Sequence, residues 1–397
     1  MSSLRKEATD FTLLPLTKQS GEFEEMVARK AKPWFVFSVW KAIIELESCK
    51  KPTTAELIAE SMKKMREMRL FHNDLALAVD DRLIERKANG EYSICSDATA
   101  SRSDCDWYCF ICFKSAPKIL KCNGCFRVFH ESCCASSDEK GKCYFCKTYV
   151  QEIIRKKELS VENINDVIDV FLYNIKLGFM DVIQASWFQN ESQTIKNLIP
   201  KLIHNHDFNF IHIKRKMENS EYRSIFEFIF DCKTVCFNIT VLYGVDSQIG
   251  KRCDDLYAFM GSQDRFIHNC VDCYIRFYHK KEGDKYFWFI VPCDPPHQLC
   301  FARAEGYSHY PAKIIRSDLN ESFVWFFDEY HEYATVSNRD ICSALPRDTV
   351  ITPQLAKALQ EFGMHKLLLE CQVSGTKFNL HGFKLRESPK KSKKKHK

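Results

Sequence analysis

Residues 109–146 read CFICFKSAPKILKCNGCFRVFHESCCASSDEKGKCYFC, and the spacing of their sulfur and imidazole groups decides how the rest of the chain divides. Seven cysteines and one histidine fall in four pairs: Cys109-x2-Cys112, Cys122-x2-Cys125, His130-x2-Cys133 and Cys143-x2-Cys146. Two intervening residues let neighbouring side chains grip one metal ion, and these eight ligands suffice for two closed tetrahedral zinc sites. A closed structural site has no open position for a substrate, so this stretch is expected to recognise rather than catalyse. Cys105 and Cys134 break the pairing and fall outside the ligand set.

The chain has 397 residues, 20 of them cysteine. That length suggests roughly two to four domains. Paired cysteines with interspersed histidine read as metal binding in a reducing compartment rather than as a disulfide framework. MSSLRKEATDF at the start lacks the apolar core of a signal peptide, and no apolar run approaches the ~20 residues that span a bilayer. The expectation is a soluble intracellular protein with no membrane partner. The net charge is +6, yet residues 384–397 alone carry eight Lys or Arg against one Glu, which leaves −1 for the remainder. The basic tail, 373–397, reads as disordered, as a nuclear-import signal or as a loose phosphate-binding arm.

Outward from the cysteine cluster, residues 1–30 show weak periodicity and read as a flexible lead-in. Over 31–96, Trp34, Phe37, Trp40, Ile43 and Ile44 recur at helical spacing. Thr53, with Glu56 three residues on, predicts the start of a second helix, and Asn73 or Asp74 the cap of a third. LIERKANGEYSI then reads as strand, Asn89-Gly90 turn, strand. Three helices and a two-stranded wing make a winged helix, a fold that can place its third helix in a DNA groove. Residues 29–90 carry thirteen Lys or Arg and nine Asp or Glu, but the third helix holds three Asp and offers little base-reading chemistry.

Residues 106–149 are similar to a PHD finger, because the step from Cys125 to His130 is short. In that resemblance the pairs alternate: Cys109, Cys112, His130 and Cys133 hold one zinc, and Cys122, Cys125, Cys143 and Cys146 the other. Methyl-lysine-reading fingers carry a Trp where this chain has Gly141, so a structural finger, or one that binds an unmodified histone tail weakly, is expected. Residues 150–268 are mostly helical, with ENINDVIDVFLYNIKLGFM one helix and a polar connection over 189–207. KRKMENSEYRSIFEFIFDCKTVCFN resembles the middle of a four-helix bromodomain bundle. Acetyl-lysine readers place an Asn after a Tyr; here Gly244 follows Tyr243, which removes the side-chain donor. Ser247 or Gln248 is the nearest substitute.

Cys270-x2-Cys273 and Cys293-x3-His297 supply a third tetrahedral set, predicted as a zinc-clasped hairpin over 269–297. Residues 298–372 read as a small β-barrel with a closing helix, capped by Thr352 and Pro353 and buried through Leu355, Leu359, Phe362 and Leu367. Ser308-His309-Tyr310-Pro311 stands where PWWP domains carry their signature. The aromatic box that such domains close around a methylated lysine would fall on Tyr307, Tyr310 and Phe326, with Phe327 able to exchange roles.

The fold class is therefore multidomain α+β: winged helix, zinc-bound PHD finger, bromodomain-like bundle, zinc clasp and PWWP barrel with closing helix. That order resembles the chromatin-reader and corepressor family of zinc finger MYND domain-containing protein 11, most closely in DWYCFIC, CFRVFH, EYRS-x2-EF, LYG-x-DSQ and Gly306 to Lys313. The resemblance implies a nuclear, non-enzymatic reader of trimethylated lysine thirty-six of histone H3, with nucleosomal DNA bound beside it and zinc as the only cofactor. It departs from the family in Tyr310, where the family has Trp, and in the absence of the C-terminal MYND finger that recruits corepressors. An adaptor whose reader pockets are inactive is the competing expectation. A RING-like ubiquitin ligase is less favoured, because His130 takes the fifth ligand place, and no small-molecule chemistry is indicated.

Overall fold

The computed structural model describes residues 24–27, 29–63, 68–96, 104–115, 118–133, 141–148, 161–279, 287–327 and 330–374. Cys134 and the basic tail from residue 375 lie outside these. The chain forms two compact units, residues 1–264 and 265–397.

The first unit opens on β1 (Glu24–Val27), a strand inside the stretch that periodicity reads as lead-in. Four residues are too few to show a pattern. α1 (Pro33–Ser48) has proline in its first turn, where no N–H is needed, and buries Phe35, Val36, Phe37, Val39, Trp40 and Ile43. α2 (Ala55–Ser61) is capped by Thr54, one residue later than predicted, through a 3.5 Å bond from the Leu57 N–H. Thr53 instead donates its hydroxyl to the Tyr92 carbonyl at 2.6 Å and ties the helix start to the hairpin. α3 (Met68–Asp80) already begins before Asn73 and Asp74, so neither caps it; Asp74 accepts from Lys32 Nζ at 2.9 Å. The hairpin β2 (Ile84–Arg86) and β3 (Tyr92–Ile94) closes through Gly90 at φ 84°.

β4 (Lys118–Lys121) pairs with β5 (Val128–Phe129) and, on its other side, with β1, giving the order β1-β4-β5. Six helices follow: α4 (Val161–Gly178), α5 (Met180–Ala185), α6 (Gln193–Leu198), α7 (Phe210–Glu218), α8 (Ile225–Tyr243) and α9 (Gln248–Asn269). α6 occupies the stretch predicted as polar connection. Ser192 caps it with a 3.3 Å bond from the Ile195 N–H, and Ile195, Ile199, Leu202 and Ile203 are buried. α8 is apolar nearly all round and buried on most sides, as a central helix must be. Phe171 of α4 meets Phe228 of α8 at 5.2 Å and Phe259 of α9 at 6.1 Å.

One core runs through α1, the cysteine-rich finger and α8. Phe37 packs on Tyr243 at 5.5 Å, and Phe110 lies 5.3 Å from Phe145 and 5.0 Å from Phe237. The finger thus presents an aromatic face to the bundle, and Arg127 donates from within it to the Thr234 hydroxyl at 2.5 Å.

In the second unit, α10 (Val271–His279) and α11 (Phe287–Ile290) replace the predicted hairpin. A short apolar run fits strand or buried helix equally well by pattern; here Trp288 and Phe289 turn onto the sheet. That sheet is β6 (Gln298–Ala302), β7 (Tyr310–Ser317), β8 (Glu321–Phe326), β9 (Tyr333–Ser337) and β10 (Ile341–Cys342), ordered β10-β6-β7-β8-β9 and antiparallel throughout. An irregularity between Ile314 and Arg316 breaks the β7–β8 register. Phe301, Trp325 and Phe327 gather with Trp288, Phe289 and Phe362, while Ala302, Ala312, Val324, Phe326 and Val336 form a separate cluster. α12 (Pro353–Ser374) is capped by Thr352, which accepts from the Leu355 N–H at 3.1 Å. It buries Leu355, Phe362 and Leu368, but Leu367, predicted to be buried, is 48% exposed.

Candidate functional site

Three groups of four ligand atoms come together, each within 4.8 Å: Cys109, Cys112, His130 and Cys133; Cys122, Cys125, Cys143 and Cys146; Cys270, Cys273, Cys293 and His297. These are sets that can bind zinc. Two ligands each ~2.3 Å from a tetrahedral zinc stand about 3.8 Å apart. The separations here are of that size: Cys122 to Cys146 3.7 Å, Cys125 to Cys143 3.9 Å, Cys273 to Cys293 3.5 Å. In the first group His130 turns Nδ1 to the sulfurs of Cys112 (3.2 Å) and Cys133 (3.7 Å), while in the third His297 offers Nε2 to Cys273 at 3.4 Å.

Local backbone builds each site. The N–H groups of Gly124 and Cys143 point at Cys122 Sγ at 3.3 Å, and that of Cys273 at Cys270 Sγ at 3.4 Å. Gly124 leaves room for the cluster: a Cβ there would stand 3.1 Å from Cys146 Sγ, a tight contact that would press on the sulfur. Electrostatics favour a cation at the centre. Hydrogen bonds from Cys125, Cys143 and Cys146 hold the Cys122 thiol far below its usual range, and the contact with Cys122 drives Cys143 and Cys146 far above theirs. Four sulfurs this close cannot all ionise alone; a divalent ion permits it. Burial opposes the charge on His297, but bonds to Cys270 and Cys293 outweigh it and raise His297 to about 9. Spacing gives no hint of Arg276, which donates to Cys293 Sγ at 3.7 Å, to the carbonyls of Val291 (2.8 Å) and Pro292 (3.0 Å), and to Asp272 at 3.3 Å. Lys313 is likewise fully buried, donates to the Phe289 carbonyl and has its pKa lowered by burial.

The three predicted box residues are placed unequally. Gly306, at φ 81°, turns the chain into β7; Tyr307 just after it is 73% exposed. Tyr310 opens β7 and packs half-buried against the cluster that contains Phe326 of β8, itself 8% exposed. Among the described residues no ring contact joins Tyr307 to either. Phe327 cannot exchange roles with Phe326, because it is fully buried against Phe289 (4.9 Å) and Phe362 (5.3 Å) in the other cluster.

Gly244 ends α8 at φ 88°, and a Cβ on it would lie 3.2 Å from Trp34 Cγ of α1. The space beside Gly244 is thus taken by the chain's own indole. Ser247 is committed to capping, donating to the Gly244 carbonyl at 2.7 Å and accepting from the Gly250 N–H at 3.0 Å. Tyr243 donates its hydroxyl to Glu191 at 3.0 Å. The exposed side of α3 carries Arg69, His72, Asn73, Ala76 and Asp80, a mixed surface rather than a cationic stripe.

No helix of the described residues is long and apolar enough to cross a membrane. No family model matches the chain. The chain is similar, at 23% identity over 264 residues, to the MYND-type zinc finger-containing chromatin reader Zmynd8 of Drosophila melanogaster, in an alignment that takes in 64% of this chain and only 15% of that much longer protein.

Proposed function

We propose that this protein is a nuclear, non-enzymatic chromatin reader that binds methylated histone H3, at trimethyl-lysine thirty-six, through Tyr307, Tyr310 and Phe326. Nucleosomal DNA is held by basic groups of the N-terminal helical segment, the sheet rim and the tail, and the complex serves transcriptional repression. The observation that carries the reading is the placement of Tyr310 at the start of β7, packed half-buried against the cluster that contains Phe326, with Tyr307 exposed in the turn before it. A trimethylammonium donates no hydrogen bonds, so such a site selects it by cation–π attraction and fit. Similarity to a chromatin reader points the same way. In this reading the finger is the PHD type, the bundle a bromodomain relative, the sheet a PWWP domain, and the three zincs hold shape without performing chemistry. The weak individual contacts add through linkage, and affinity falls with salt.

The test is binding of the full chain to nucleosomes with and without the trimethyl mark, alongside Tyr310→Ala. Preference for the marked particle, lost in the variant, is expected; equal binding unchanged by the substitution would refute the reading. A second reading, an adaptor whose pockets are inactive, is favoured by one observation: Trp34 fills the space at Gly244. It predicts chromatin association that survives both Tyr307→Ala and Phe326→Ala.

A further inference from the structure

The aromatic face that the finger turns to the bundle does not close completely. An open cleft of about 240 Å³ remains where the finger meets α8 and α9. Its walls are aromatic. Phe110 and Phe145, both buried, line it 5.3 Å apart, and Phe113 lines it beside them. Phe113 is held at φ 62°, a left-handed backbone that a bulky residue keeps only when its surroundings fix it there. Its ring lies 5.9 Å from Phe237 of α8. The exposed Ile111 completes the apolar lining. The volume falls below the roughly 300–1,000 Å³ of sites for drug-sized ligands, so the occupant is no larger than one ring with a short arm.

Lys233 of α8 is the only cation among the lining residues. Its ammonium lies 5.5 Å over the Phe145 ring, and among the described residues no carboxylate or carbonyl pairs with it. Burial lowers its pKa, and Asp264 offsets this only in part. A half-buried charge in apolar surroundings is costly until a counter-charge reaches it. Tyr257 of α9 donates its hydroxyl to the Lys233 carbonyl at 3.1 Å, so it offers the cleft a ring and no free donor. Asp254, three residues before Tyr257 on α9, lines the cleft from an exposed position and disfavours a second negative charge there.

We propose that the cleft between finger and bundle binds a small apolar monocarboxylate, with its ring or branched chain among Phe110, Phe113 and Phe145 and its carboxylate on Lys233 Nζ. The charge-assisted bond supplies the partner that the ammonium lacks. The proposal stands apart from the chromatin reading, because none of Tyr307, Tyr310 and Phe326 lines the cleft.

The probes are hydrocinnamate, its uncharged amide, the matching amine phenylpropylamine, and benzylmalonate, which adds a second carboxylate to the same skeleton. Each is titrated into the full chain by ligand-detected saturation-transfer NMR. Hydrocinnamate should bind, and the amide and the amine should bind at least about tenfold more weakly. Lys233→Met should weaken hydrocinnamate by a similar factor without changing its weak binding of the amide, while Lys233→Arg retains the acid. Benzylmalonate should bind more weakly than hydrocinnamate, and Asp254→Asn should narrow that gap. Equal binding of acid and amide, preference for the amine, or hydrocinnamate binding that ignores Lys233→Met would overturn the proposal. A benzylmalonate gap unchanged in Asp254→Asn would overturn its restriction to a single carboxylate. Asp254 is exposed, so this variant tests the cleft even if Lys233→Met disturbs the packing of α8.

Discussion

At the scale of single residues, Gly244 is fixed by its backbone and by what packs against it. Its φ of 88° and ψ of 149° lie in a region that only glycine adopts freely, and Trp34 stands where a side chain would go. Placing an amide there by Gly244→Asn should therefore not create an acetyl-lysine site. The expected outcome is a loss of roughly 1–3 kcal/mol of stability, seen in thermal denaturation, and no response to acetylated histone peptides in titration calorimetry. A Gly244→Asn protein that bound acetyl-lysine without loss of stability would show that the indole yields. Phe326 and Phe327 make the complementary point: the last residue of β8 and the one after it belong to different clusters, because successive side chains of extended chain point to opposite faces.

At the scale of elements, α7 is fastened to α8 by a buried network. Lys216 donates to Asp231 at 2.7 Å and Glu227 at 3.2 Å, and the Tyr222 hydroxyl donates to Asp231 at 3.0 Å. Burial raises the Asp231 pKa and Lys216 partly offsets it; burial opposes the charge on Lys216, but its two carboxylates outweigh that and raise it. The signs give a pH dependence. Lys216's raised pKa contributes stability that is whole below its usual value and lost only above it. Asp231's raised pKa contributes stability that is whole below the usual carboxylate range and lost as pH climbs through its folded value. Lys216→Met strands Asp231 and should cost about 3–5 kcal/mol at neutral pH. The deficit should shrink as pH falls and Asp231 takes up a proton. Urea titrations of both proteins at several pH values measure this; a deficit constant with pH would show that Asp231 is not the stranded group.

The finger and the clasp are elements of another kind, because each combines a group of four ligand atoms with an aromatic core shared with its neighbours. Cys143→Ser should remove one zinc of three and loosen the aromatic packing of Phe145 against Phe110 and Phe230, at 5.3 and 4.6 Å. Metal analysis with near-ultraviolet circular dichroism checks both.

At the scale of the whole molecule, the metal content is the quantity to measure: three zinc ions per chain, falling to two in Cys293→Ser. Cys293 lies in the cluster that contains Trp288 and Trp325, so its loss should change tryptophan emission from the second unit. Chelation should lower the melting temperature, since a site absent from the unfolded chain adds its binding free energy to folding. A melting temperature unmoved by chelator would mean that the core alone sustains the fold.

The twelve ligands were legible because coordination ties chemistry to spacing: two residues between cysteines set how their sulfurs can meet, whatever surrounds them. The longer helices α1, α4, α8 and α12 were legible in their periodicity, and the β2–β3 turn in Asn89-Gly90, whereas α6, α10 and α11 were not. The tertiary structure alone decided the rest. A four-residue strand carries no period, so β1 exists only through its partner β4. YFWFIV fits strand or helix, and packing of Trp288 and Phe289 on the sheet chose helix. The turn from Leu367 to Leu368 depends on the direction from which α12 meets the sheet, and the space beside Gly244 depends on a helix that lies two hundred residues earlier. Spacing along the chain is a covalent constraint that sequence states outright; which surfaces meet is a property of the folded molecule, set by shape and burial among residues far apart in the chain.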